Sequence, residues 1–72
     1  MLMKPIFDER HLELARKHGS PDPEFNADLG NRIAEMVLAG RFAEAEPLIA
    51  NLTDPDVVTS TKELLYAYRE GE

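Results

Sequence analysis

The stretch from Glu24 to Leu52 decides the fold: EFNADLGNRIAEMVLAG (24–40), then RFAEAEPLIANL (41–52). Stepping about 100° per residue from Phe25 puts Leu29, Ile33, Met36 and Val37 on one broad helical face. Ala34 and Leu38 fall to the side or behind, so this helix is expected to bury more than one face and to sit at the centre of the core. Asp22 is a candidate cap and Pro23 suits the first helical position, with Asn26 as a rival cap. Gly40 follows the periodic run and is the natural residue for a left-handed helix stop. Phe42, Ala45, Leu48, Ile49 and Leu52 then form a second stripe of helical period. Pro47 interrupts it by removing a hydrogen bond and crowding the carbonyl four residues back. Phe42 and Ala45 already keep the phase, which favours a helix over about 42–52 that bends at Pro47. A tight turn at Gly40 folds the two stripes together as an antiparallel pair.

Residues 39–52, AGRFAEAEPLIANL, resemble the middle of a tetratricopeptide unit: a small residue, Gly, Arg, an aromatic, then alanine three residues on. The resemblance implies a turn at Gly40 and Phe42, a close helix crossing at Ala45, and Ile49 at the large apolar position of the second helix. It departs from the pattern at Ile33, where a small residue or glycine is expected, and at Leu52, where alanine is expected. It covers one unit, whereas arrays of this kind need about three repeats to bury a solenoid face. It therefore implies a local helical hairpin and no peptide groove.

The rest of the chain supplies two more helices. Over about 8–18, DERHLELARKH, Asp8 caps, Glu9 suits the positive end, Arg16, Lys17 and His18 suit the negative end, and Gly19 stops the helix. Phe7, His11, Leu14, Ala15 and His18 share its expected apolar face, with Leu12 away from it. GSPDP (19–23) is a short rigid link. At TDPD (53–56) Asp54 caps and Pro55 opens a last helix over about 55–69, whose face is Val57, Thr61, Leu64, Leu65 and Tyr68. Ser60 and Glu63 offer an alternative capping box, with the helix beginning at Thr61. Tyr66 points roughly opposite Leu64 and Leu65. The expected architecture is all-α: a small four-helix bundle-like domain spanning 1–72 around a central antiparallel hairpin.

Seventy-two residues bury only about 60% of their unfolded surface, so self-association is one way to enlarge the core. No cysteine is present, which removes disulfides and thiolate metal sites. The opening MLMKPIFDER has no apolar run long enough for a signal peptide or a membrane span, so a cytoplasmic location without a membrane partner is expected. Eight basic residues face fourteen acidic ones for a net charge of -6. The acidity leans toward the C-terminal half, and no positive surface for nucleic acid is evident. His11 and His18 lie seven apart, about 10 Å along an ideal helix, too far for one metal ion to bridge, and no His-Glu-x-x-His pattern is present. No phosphate-binding glycine loop, activated serine or calcium loop occurs either.

These readings point to a non-enzymatic protein without a cofactor. The leading expectation is a small acidic protein-binding or regulatory accessory module. The alternative is a structural or assembly protein whose core is completed by homodimerisation. The partner is then another protein or a second copy of the chain. Apolar residues in excess of the core mark the candidate contact set: Leu2, Ile6, Phe7, Leu12, Leu38 and Tyr66. Leu2, Ile6 and Phe7 belong to a tail that either tucks onto the bundle or docks elsewhere. A helix-turn-helix reading of GNRIAEMVLAGRF is disfavoured, because FAEAEPLIANL carries glutamates and a proline where phosphate- and base-reading groups are needed.

Overall fold

The computed structural model describes residues 6–71. These residues form four helices and no strand: α1 (Glu9–Lys17), α2 (Pro23–Leu38), α3 (Phe42–Ile49) and α4 (Pro55–Glu70). The protein is all-α. Helix α2 packs against each of the others, α3 and α4 also pack on each other, and α1 rests on α2 alone among the helices.

The buried face of α2 is rotated from the one centred on Phe25. Phe25 is 51% exposed, while Asn26, Ala27, Gly30, Ile33, Ala34 and Val37 are buried. Hydrophobicity alone misplaces the phase, because two residues at the buried centre are not apolar. Gly30 is buried because Phe7 and Val57 close over it; a Cβ there would lie 2.6 Å from Phe7 Cε2 and 2.9 Å from Val57 Cγ1. Asn26 is buried because hydrogen bonds saturate it, as described below.

Both glycine stops behave as read. Gly40 has φ +78°, its N–H donates to Val37 O (3.0 Å) and that of Arg41 donates to Met36 O (2.8 Å). This is the paired helix-terminating arrangement that a left-handed residue makes available. Gly19 repeats it with φ +75°. Helix α3 opens at Phe42, as the phase of Phe42 and Ala45 requires, and carries Pro47 in its interior. It ends at Ile49, short of Leu52. The chain leaves through two turns, Asn51 N–H to Leu48 O and Leu52 N–H to Ile49 O, and Leu52 is still buried.

Three further expectations need correction. Asp22 precedes α2 with φ +40° and makes no side-chain cap bond; a left-handed residue there leaves its carboxylate out of reach of the first turn. On α1, Leu14 is 56% exposed, whereas Leu12 packs against the core beside buried Ala15. The inward direction of α1 therefore falls between Leu12 and Ala15. On α4, Tyr68 is exposed, because only Val57, Thr61 and Leu65 are fully covered. Helix α4 does begin at Pro55, with Asp54 Oδ1 accepting the Asp56 N–H at 2.9 Å. Buried Thr61 satisfies its hydroxyl by donating to Val57 O (2.8 Å) and Val58 O (3.0 Å).

Asn26 ties three segments together. Its Nδ2 faces Pro21 O, Asp22 O and Thr53 Oγ1 at 2.9–3.0 Å, and its Oδ1 accepts from the N–H groups of Thr53 (2.8 Å) and Asp54 (3.0 Å). The α1–α2 link and the α3–α4 junction are thus fastened to one side chain. Asn31 does the same for the N-terminal segment, accepting from Phe7 N–H (2.9 Å) and donating to Phe7 O (3.1 Å).

Candidate functional site

Helices α3 and α4 diverge enough to leave a groove of about 490 Å³ between them. Its floor is the outer edge of the core: Ile49, Leu52, Val58 and Leu65. Glu46 and Ala50 come from the α3 side, Lys62 and Tyr66 from α4. Each of these pairs is four apart, so each lies on one helical face. The rim is braced. Arg69 donates from Nη1 to Glu46 Oε2 at 3.1 Å, and its guanidinium stands 5.3 Å from the Tyr66 ring centroid. A cation over an aromatic face is attracted to the ring's electron density. One arginine therefore touches both Glu46 of α3 and Tyr66 of α4, and the tyrosine, which is 45% exposed, stands beside an apolar floor.

Of the residues singled out by sequence, only Tyr66 lines this groove. Ile6 and Leu38 are exposed elsewhere. Leu12 is half-buried against the core, and Phe7 is a core residue whose backbone is clamped by Asn31. Phe7 and Leu12 are thus spent inside the molecule; the surplus that hydropathy assigned to them is taken up by the rotated faces of α1 and α2. Leu2 lies outside the described residues. Lys62 and Glu46 were absent from the candidate set. The signal that could have found Lys62 is its i, i+4 spacing with Tyr66 on α4, whereas Glu46 meets Arg69 across 23 residues and no local spacing marks it.

The electrostatics of the surface are acidic and partly self-paired. Arg16 pairs with Glu24, Arg32 with Asp28 and Arg41 with Glu44. The hydrogen bond from Arg16 holds the Glu24 carboxyl below the usual carboxylate range, and that from Arg41 does the same for Glu44. Helices α3 and α4 carry five acidic groups and two basic ones, Lys62 and Arg69, and of these Glu46 and Lys62 line the groove. No group of three or more His, Asp or Glu side chains is arranged to hold a metal ion among the described residues. No helix of the described residues is long and apolar enough to cross a membrane.

Comparison with protein-family models, curated proteins and solved structures returned no match.

Proposed function

We propose that this chain is a small, non-enzymatic protein-binding accessory module, and that the α3–α4 groove is where its partner docks. The observation that carries this reading is the groove itself: an apolar floor beside an exposed tyrosine that an arginine braces. Exposed aromatic rings held in a fixed pose are efficient contact residues, because little side-chain freedom is lost on binding. The occupant that fits is a short amphipathic segment of another protein, with an apolar anchor flanked by Lys or Arg. The anchor meets Ile49, Val58 and Leu65, and the chain's net charge of -6 favours flanking cations on approach. The tetratricopeptide likeness of residues 39–52 stays with this reading as a local proposal: one hairpin unit contributing α3 as a groove wall.

The test uses the ¹⁵N-labelled chain and two model peptides of equal length, one of Leu and Lys in helical period and one of Leu and Glu. The Leu/Lys peptide is expected to shift amides of Ile49, Val58, Lys62 and Tyr66 saturably. Tyr66→Ala is expected to weaken it about tenfold, the size of a typical contact-centre aromatic truncation. Equal response to both peptides, or shifts that avoid the groove, would remove the reading. A stable dimer at low micromolar concentration by light scattering, with the groove covered, would favour the self-assembly alternative instead.

A further inference from the structure

Burying Asn26 and Gly30 turns another side of α2 toward the outside. Phe25, Leu29, Arg32 and Met36 follow one another in steps of four, three and four residues. They therefore form one stripe along the helix, about 17 Å long. Phe25 is half-exposed, and Leu29 and Met36 are half-buried, packed against the core on one side only. Arg32 is exposed and reaches Asp28, one turn earlier, at 3.5 Å. That pair borders the stripe, on the side away from Leu29. Helix α2 contributes none of the described residues that line the α3–α4 groove, so this is a second surface, independent of the first.

We propose that the α2 stripe docks on the α2 stripe of a second copy, antiparallel, about a twofold axis passing between Leu29 and Arg32. Such a contact is isologous: whatever one copy offers, the other must answer with the same residues. This stripe answers itself. The axis puts Phe25 opposite the second copy's Met36, and Met36 opposite the second copy's Phe25. A thioether against an aromatic ring is a favourable contact. The two Leu29 side chains meet beside the axis. A twofold axis between antiparallel helices also keeps each border of the stripe on its own side. Arg32 thus falls within one residue's rise of the second copy's Asp28, and Asp28 within one residue's rise of the second copy's Arg32. Opposite charges meet across the contact twice. A parallel copy would set Arg32 against Arg32 and Asp28 against Asp28, and like charges in register disfavour it. One helix against one helix is a small interface, below about 1,200 Å², so the dimer is weak, with half-association near about 100 µM. It leaves the groove of each copy open.

The test follows the full chain from about 10 µM to about 2 mM by sedimentation equilibrium and ¹⁵N-amide shifts. The expected result is a monomer–dimer equilibrium in which the amides of Phe25, Leu29, Arg32 and Met36 move with the dimer fraction. Those of Ile49, Lys62 and Tyr66 stay in place, so a failed groove and a failed dimer are read at different residues. Phe25→Ala is expected to weaken the dimer about tenfold. Arg32→Glu makes the border wholly acidic and Asp28→Arg makes it wholly basic. Each alone is expected to weaken the dimer about tenfold, and an equimolar mixture of the two is expected to restore it to at least the parent strength. General attraction cannot produce that rescue, because both variants keep a negative net charge. All three substitutions fall on exposed side chains, and the parent titration stands without them. A strict monomer at about 2 mM, association that moves groove amides instead, or a mixture no tighter than its components would overturn the proposal.

Discussion

Asn26 and Asp54 sit at the same junction and are linked by a hydrogen bond, yet their side chains meet opposite fates. Every polar atom of the Asn26 amide has a partner within the chain, whereas Asp54 uses one oxygen for its helix and leaves the other bare. The two residues differ by a single group, amide for carboxylate. The difference teaches what each is for: the saturated buried amide fastens loops together, and the buried carboxylate starts a helix through one oxygen.

Exchanging the two groups breaks this contrast most directly. Asn26→Asp turns a donor into an acceptor that faces Pro21 O, Asp22 O and Thr53 Oγ1. It should lower stability by about 3 kcal/mol or more, enough to abolish cooperative urea unfolding in a chain this small. Gly30→Val comes next. Its side chain would run into Phe7 and Val57 and prise the N-terminal segment from Asn31, at a cost of about 2 kcal/mol, with loss of slow exchange at the Phe7 amide. The reverse exchange, Asp54→Asn, should stay within about 1 kcal/mol of the parent, because asparagine caps as well as aspartate and no buried charge is left uncompensated. A loss above about 2 kcal/mol would mean that Asp54 Oδ2 is bonded inside the chain.

The smallest effect is on the acid side. Glu24 and Glu44 are held below the ordinary carboxylate range by hydrogen bonds from Arg16 and Arg41. A folded-state value below the unfolded one contributes stability that is complete above the unfolded value and disappears as pH falls through the folded one. Both pairs are exposed, so the contribution is small. The urea midpoint between about pH 5 and pH 2 should fall slightly less steeply in the Glu24→Gln/Glu44→Gln double variant than in the parent.

Legibility followed locality. The glycine stops at 19 and 40, the Asp8 and Asp54 caps and Pro55 at the start of α4 could be read because each works within one or two turns of chain. The second stripe survived Pro47: Ala45 and Ile49 are buried, and Phe42 and Leu48 pack against the core beside them. Phase failed on α2, where Asn26 and Gly30 occupy the buried centre, and on α1, where Leu12 and Leu14 exchanged places. Of the contact set only Tyr66 reached the groove, because a groove is a property of two helices and hydropathy describes one.

What the sequence determined by itself was four helices, the glycine stops of α1 and α2 and the central place of α2, since backbone hydrogen bonding and left-handed glycines act over a few residues. Tertiary structure alone decided which face of α1 and α2 turned inward and what Asn26 fastened. Those outcomes depend on groups 24–28 positions apart meeting in space, and no local pattern encodes the geometry of that meeting.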